Sequence, residues 1–210
     1  MGKRLVNAGK EVDALKSYPV EEAVALAKKT ATTKFVGNIE VHARLGIDPK
    51  KSDQTVRTTV TLPHGTGKLK RIAVFKGTEG EELIKKIKDT EKIDFDIAIA
   101  DPAIMPKLAQ IAKILGPRGL MPNPKSGTVT ADVDKAVKEF ASGKTEFKND
   151  ESGNVHMILG KSNFPDDQIV ANFKSFMGAL TSSRPPGLKK EFIMSVTIHA
   201  TMGPGIKVKV

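Results

Sequence analysis

The stretch Lys34-Phe35-Val36-Gly37-Asn38-Ile39-Glu40-Val41-His42-Ala43-Arg44-Leu45-Gly46 decides the fold. From Asn38 onward it alternates strictly. Ile39, Val41, Ala43 and Leu45 fall on one side of a strand, and Asn38, Glu40, His42 and Arg44 fall on the other. Two further runs repeat the pattern. Thr55 to Leu62 turns Val56, Thr58, Val60 and Leu62 inward. Phe192 to Thr201 turns Phe192, Met194, Val196 and Ile198 inward, leaving Ser195, Thr197, His199 and Thr201 outward. The spacing predicts three strands with one packed face and one open face, the open one rich in hydroxyls, arginine and histidine.

Outward from these strands, helical periodicity appears at Val20, Ala23, Val24 and Ala27, after Ser17-Tyr18-Pro19. It appears again at Ile169, Val170, Phe173, Phe176, Met177 and Leu180. Met1 to Lys16 reads as a partly ordered basic arm, and Ile206 to Val210 as a closing basic strand. The middle of the chain changes character. Short apolar strands at Arg71–Phe75 and Phe95–Ala100 alternate with helical patterns at Leu83, Ile84 and Ile87, then at Ile104, Leu108, Ile111, Ala112 and Leu115. Such alternation predicts βαβ units and a parallel sheet. A further helix is marked by Val133, Ala136, Val137 and Phe140, and two short strands by Thr145–Lys148 and Val155–Leu159.

Neither flank is large enough to build a core alone. The expected fold is therefore α+β: a discontinuous two-layer open-sheet domain, residues 1–65 plus 160–210, with helices on one face. A three-layer α/β Rossmann-like domain, residues 66–159, is inserted into it. Chain crossings near Gly65–Gly67 and Gly160 would form a hinge. One continuous mixed domain is the simpler alternative.

The 210 residues carry 34 Lys+Arg against 24 Asp+Glu, a net charge of +10 and a pI near 9.7. That balance implies a polyanionic partner, which on charge alone is RNA, DNA or an acidic membrane surface. The flanks hold 18 basic and 10 acidic residues, whereas 66–158 holds 16 and 14, so the flanks are the expected polyanion-binding part. Within the insert, Lys107, Lys113, Arg118 and Lys125 form a local basic excess. Cysteine is absent, so disulfides and thiolate metal sites are excluded. No apolar run approaches the roughly 20 residues of a membrane span, and Met1–Lys16 lacks a signal-peptide core. The expectation is a soluble cytoplasmic protein without a membrane partner. With no tryptophan and a single tyrosine, base stacking would fall to phenylalanine, histidine or arginine. These features together point to folded RNA bound by the open face and its rim.

Each motif has a plainer alternative. Phe35 reads either as a staple under the preceding helix or as a rim residue packing on sugar or base, with Lys34 on phosphate. Glu40 reads either as a solvated strand residue or as an acceptor for a 2′-hydroxyl or a base amino group. Thr201-Met202-Gly203-Pro204-Gly205 is either a strand-to-strand turn or a place where backbone N–H groups around Gly203 and Gly205 approach RNA closely. The loop from Gly116 to Val129 is glycine- and proline-rich, but its spacing fits neither G-x-G-x-x-G nor G-x-x-x-x-G-K-[ST]. His64-Gly65-Thr66-Gly67-Lys68 fails the second pattern at Leu62 and Leu69. His42, His64, His156 and His199 are scattered without metal-ligand spacing, so neither a metal, a cofactor nor a catalytic set is expected. The alternative from another class is an α/β enzyme or nucleotide-binding protein using loop 116–128 as a phosphate cradle; a non-specific RNA chaperone is a third.

Several stretches carry a resemblance. KFVGNIEVHARLGIDPKKSD at 34–53, VTLPHGTG at 60–67, LGPRGLMPNPKSGTV at 115–129, EFKND at 146–150 and SVTIHATMGPG at 195–205 closely resemble the bacterial branch of the universal large-subunit ribosomal protein one family, the proteins of the mobile lateral stalk. The resemblance spans nearly the whole chain. It implies a two-domain, non-enzymatic protein of the large ribosomal subunit, monomeric when free. It implies binding to the stalk region of large-subunit ribosomal RNA, translational repression through its own operon's mRNA, and contact with exit-site tRNA. The family's RNA contacts, carried over, fall on Lys34, Phe35, Asn38, Glu40, Ser195, Thr201, Met202 and Gly203, with Arg118 and Lys125 on the inserted loop. Between Gly77 and Glu81 the chain is about 20 residues shorter than the family pattern, roughly one helix and one strand, which predicts a reduced inserted sheet.

Overall fold

A computed structural model describes residues 3–68, 70–90, 92–188 and 190–209. In chain order the main elements are α1 (Lys3–Gly9), α2 (Val20–Lys29), β1 (Asn38–Leu45), β2 (Arg57–Thr61), β3 (Ile72–Phe75), α3 (Gly77–Thr90), β4 (Ile97–Ala100), α4 (Val133–Ala141), β5 (Lys144–Lys148), β6 (Asn154–Lys161), α5 (Asp166–Ser182), β7 (Ile193–Ala200) and β8 (Ile206–Val208). The fold is mixed α/β, and its contacts separate two compact units, Met1–Gly67 with Thr145–Val210, and Lys68–Lys144. Among the described residues, no helix is long and apolar enough to cross a membrane.

The first unit is built on an antiparallel sheet in the order β6-β1-β7-β8. β1 behaves as its alternation requires: Ile39, Val41, Ala43 and Leu45 are buried, and their neighbours are not. Helices α2 and α5 cover the packed face. α2 turns Ala23, Val24 and Ala27 inward; its acidic residues, Glu21 and Glu22, sit in the first turn and Lys28 and Lys29 in the last, as the helix dipole favours. α5 supplies Ile169, Val170, Phe173, Phe176 and Leu180 to the same core. Tyr18 extends the sheet at its far edge, its N–H donating to Lys207 O at 2.9 Å and its carbonyl accepting from Lys209 N–H at 2.9 Å. The arm expected at the N-terminus is helical over Lys3–Gly9, and the closing strand runs Ile206–Val208, with Val210 outside the described residues.

Several expectations are corrected here. β2 does not join the open sheet; it pairs with β5 in a separate two-stranded sheet, where Phe147 meets Phe176 edge-on with ring centroids 5.3 Å apart. The boundary of the middle segment falls at Lys144/Thr145 and not at 159/160. The reason is non-local pairing: β6 runs the length of β1, from Asn38↔Lys161 to Arg44↔Asn154, and buries Val155, Met157 and Leu159 in the first unit's core. Gly160 consequently lies inside a strand against the Phe164 ring, not at a crossing. Redrawn this way, the first unit carries 19 basic and 13 acidic residues and the second 15 and 11, so the charge contrast between them is small. Met194, expected inward, is 55% exposed. A register shift opposes Arg44 to Ser195 but Leu45 to Ile193, so Met194 is the extra residue of a bulge and leaves the packed face.

In the second unit β3 and β4 are parallel, and Val129 adds a parallel bridge to Ala100. Phe75, Ile84, Leu108, Ile111 and Leu115 pack in one cluster, and Ile99, Val133, Ala136 and Phe140 in another. The single helix expected from Ile104 to Leu115 is instead a series of short helical pieces: Pro102–Ile104, Met105–Leu108, Ala109–Ile111 and Ala112–Leu115. Pro106 offers no N–H, and Ile111 leaves helical dihedrals at φ −105°, ψ 10°. Gly80 lets α3 approach the end of β3, because a Cβ there would meet Ile104 Cδ1 at 2.6 Å and the Phe75 backbone at 3.0 Å.

Candidate nucleic-acid interface

The open face of the first unit is lined by outward residues of three adjacent strands. β1 gives Asn38, Glu40, His42 and Arg44; β7 gives Ser195, Thr197 and His199; β6 gives Asn154 and His156. At one end the cluster is tightly bonded. Thr201 N–H donates to Asn38 O at 2.8 Å, Asn38 N–H donates to Thr201 Oγ1 at 3.1 Å, and Thr201 Oγ1–H donates to Glu40 Oε1 at 2.7 Å. Lys161 Nζ completes it from the neighbouring strand, donating to Asn38 Oδ1 at 2.8 Å. Glu40 is therefore already held as an acceptor, which fixes its direction on the face.

Beyond this cluster lies an apolar rim. Phe35 is 60% exposed and Met202 is 65% exposed, with Lys34 exposed beside Phe35. Exposure on this scale removes the staple alternative for Phe35. Met202 has φ 69° and is the non-glycine residue with positive φ among the described residues. An L-residue is about 1–2 kcal/mol worse there than in its right-handed wells. The turn is closed by Gly203 N–H donating to Ala200 O at 2.7 Å. That N–H is thus engaged within the turn, and it is the Met202 side chain that projects.

Of the expected contact residues, Lys34, Phe35, Asn38, Glu40, Thr201, Met202 and Gly203 gather at this end. Ser195 does not: it pairs with Arg44 at the opposite end of the face, six residues along β7 from Thr201, or about 20 Å at strand rise. Arg118 is exposed in the second unit, and the side chain of Lys125 lies outside the described residues. In that unit's loop, Ser126 and Thr128 are buried and bond to each other at 3.0 Å, and Thr128 Oγ1 accepts from Asn123 N–H at 2.8 Å. Hydroxyls used this way are not aimed at a phosphate. An open hollow of about 290 Å³ near Val129 and Ala136 sets Lys135 and Lys144 beside Asp132 and Glu139. Lys144 is ion-paired to Glu139 at 2.8 Å, which spends that cation internally.

Sequence spacing missed a further arrangement. Three of the four histidines, remote along the chain, form a row across the open face. His156 Nδ1 lies 2.6 Å from His42 Nδ1, and His42 Nε2 lies 2.5 Å from His199 Nε2. The row ends on acceptors: Asp150 Oδ2 is 3.3 Å from His156 Nε2, and Ala200 O is 2.7 Å from His199 Nδ1. The available signal was parity, since His42 and His199 both sit at outward positions. Partial burial, with His199 and His156 alongside, holds His42 below the ordinary imidazole value, and Glu40 offsets this only in part. Hydrogen bonds from the Asn154 backbone, with others from the Asn154 side chain, His156 and Ser152, lower Asp150 to about 2.

Also missed was Asn172, fully buried in the apolar stripe of α5. Its side chain donates to Leu159 O at 2.7 Å and Gly65 O at 2.9 Å and accepts from His64 N–H at 3.2 Å, pinning the turn after β2 to the end of β6.

Comparison with known proteins identifies a family. A family model described as the ribosomal protein L1p/L10e family matches residues 27–204. The chain is 46% identical to large ribosomal subunit protein uL1 of Mycoplasma capricolum subsp. capricolum, with all of this chain and 98% of that protein covered. It is 45% identical to the protein of the same name in Mycoplasma mycoides subsp. mycoides SC and 43% identical to that of Mesoplasma florum, at the same coverage.

Proposed function

The chain belongs to the ribosomal protein L1p/L10e family, and from that premise we propose that it is a structural protein of the large ribosomal subunit whose open β-face binds the stalk region of large-subunit ribosomal RNA. The family is one of ribosomal proteins, not of enzymes. The observation that carries the reading is the rim itself: two large apolar side chains, Phe35 and Met202, stand exposed beside a bonded polar cluster, one of them on a strained backbone. Strain of this kind persists where the surrounding structure over-determines it and clusters at ligand-contacting sites.

In this reading lysines and arginines, Lys34 among them, set affinity by releasing counterions from phosphates, while Phe35, Met202 and the Thr201–Glu40 pair select an RNA shape. Ser195 and Arg44 extend the footprint to the far end of the face. The two units act as domains, the second inserted into the first, with Arg118 and Lys125 offering a further contact to exit-site tRNA as it leaves. The same face represses translation of the protein's own operon by binding a similar fold in its mRNA. The protein works in the cytoplasm, as a monomer until it joins the ribosome.

RNA footprinting with the full-length protein on ribosomal RNA fragments, at two salt concentrations, tests the reading. Protection confined to the stalk fragment and surviving the higher salt is the expected result. Equal protection of unrelated hairpins would leave only a non-specific chaperone. Gly203→Val tests the turn separately, because a Cβ there already meets Ala200 O at 3.1 Å; unchanged stalk binding would refute the role of the turn. For the repressor activity, competition titration should show tighter binding to ribosomal RNA than to the mRNA site.

A further inference from the structure

We propose that His42, His199 and Glu40 form a site for a divalent transition-metal ion of the zinc type on the open face. The inference goes beyond RNA binding and does not rest on it. One nitrogen of each imidazole and a carboxylate oxygen of Glu40 lie within 4.8 Å of one another. Imidazole and carboxylate together suit Zn²⁺, which takes three protein ligands and leaves a fourth position open in sites that are not closed.

The hydrogen-bond pattern explains why a cation belongs there. The row makes four contacts, from Asp150 through His156, His42 and His199 to Ala200 O, and both ends are acceptors. Three neutral imidazoles carry only three N–H groups. With His199 Nδ1–H donating to Ala200 O, His156 Nε2–H to Asp150 and His42 Nδ1–H to His156, the two Nε2 lone pairs of His42 and His199 face each other at 2.5 Å. In that tautomer they require either a shared proton or a metal ion between them; with His42 donating from Nε2 instead, the unfilled contact moves to His156 Nδ1 at 2.6 Å.

The outer shell is that of a metal site. Each ligand is oriented from behind: His199 by Ala200 O, His42 by His156 and Asp150, and Glu40 by the Thr201 hydroxyl on Oε1, which leaves Oε2 for the ion. Bonds of about 2.0–2.1 Å in a tetrahedral arrangement separate two nitrogens by about 3.3 Å, so the rings need part by less than about 1 Å. Occupancy would add two positive charges beside the Thr201 cluster, with the open position toward solvent.

The test is calorimetric titration of the full-length, RNA-free protein with Zn²⁺ alone near pH 7.5. One ion should bind with a dissociation constant on the order of micromolar, and His42→Gln or His199→Gln should weaken it at least tenfold. His64→Gln, outside the row, should bind as the parent does. Imidazole nitrogen NMR of the unmutated protein gives a readout that needs no variant: Nε2 of His42 and His199 should shift on adding one equivalent, and His64 should not. A flat titration, or binding undiminished in His199→Gln, overturns the assignment and leaves the shared proton as the occupant.

Discussion

Met202→Gly separates the cost of the 200–203 turn from its proposed use. With φ at 69°, methionine gives up about 1–2 kcal/mol that glycine does not. Against this, the wider unfolded ensemble of glycine costs about 0.4–1 kcal/mol. The side chain is 65% exposed, so truncation removes little packing, and the Gly203-to-Ala200 hydrogen bond is untouched. The variant should therefore be more stable by about 0.5–1 kcal/mol, read as a higher urea midpoint with an unchanged slope. Affinity should move the other way. Covering a methionine fully is worth about 1.5–3 kcal/mol; the exposed two thirds correspond to roughly 1–2 kcal/mol, or a roughly 5- to 30-fold rise in Kd for the stalk fragment. Met202→Ala keeps the strain and loses the contact, so it should lose affinity without gaining stability. Fluorescence anisotropy at fixed salt and urea unfolding by circular dichroism measure the two quantities. A Met202→Gly protein that binds RNA like the parent refutes the contact, and one that unfolds at lower urea refutes the strain argument.

Lys34→Ala should weaken every RNA tested by a similar factor and lower the slope of log K against log salt by about one; an effect restricted to the stalk fragment would contradict this. Asn172→Leu strands one N–H and two carbonyls in the interior and should cost at least about 3 kcal/mol in chemical denaturation. Gly80→Ala should destabilise the second unit by about 1–2 kcal/mol, overpacking against Ile104 and Phe75 outweighing the helical gain of alanine; differential hydrogen exchange can localise the loss. Asp150, lowered to about 2, contributes stability that is fully present above its ordinary value near 3.8 and is lost as pH falls through about 2. With the side chain 37% exposed, the effect is about 1 kcal/mol after screening, and Asp150→Asn should flatten stability between pH 4 and 2.

What could be read from the chain was whatever is local. The parity of β1 and the apolar stripes of α2 and α5 follow from periods of 2 and 3.6 residues, which neighbouring residues display by themselves. Pairing is another matter. Nothing near Val155 announces that its partner is Ala43, so the strand expected at Val155–Leu159 was placed in the wrong unit and the charge split drawn too sharply. A bulge leaves no mark in an alternating pattern, which is why Met194 was expected inside. The histidine row depends on the register of three strands, and parity gives only the direction of each ring. Asn172 gave no signal, since its partners at 64, 65 and 159 are brought to it only by the fold.

The strand order β6-β1-β7-β8 also fixes a sequence of events during synthesis. β1 leaves the ribosome first, yet the neighbours of Arg44 are Asn154 on one side and Ser195 on the other. A nascent chain therefore carries its central strand with both edges uncovered until Asn154–Lys161 has been made, and with one edge uncovered until Ile193–Ala200 follows, while Lys68–Lys144 is contiguous. Chains released early, before β7, would be left with an open edge suited to pairing with one another. Only a chain that has reached β7 can assemble the open face.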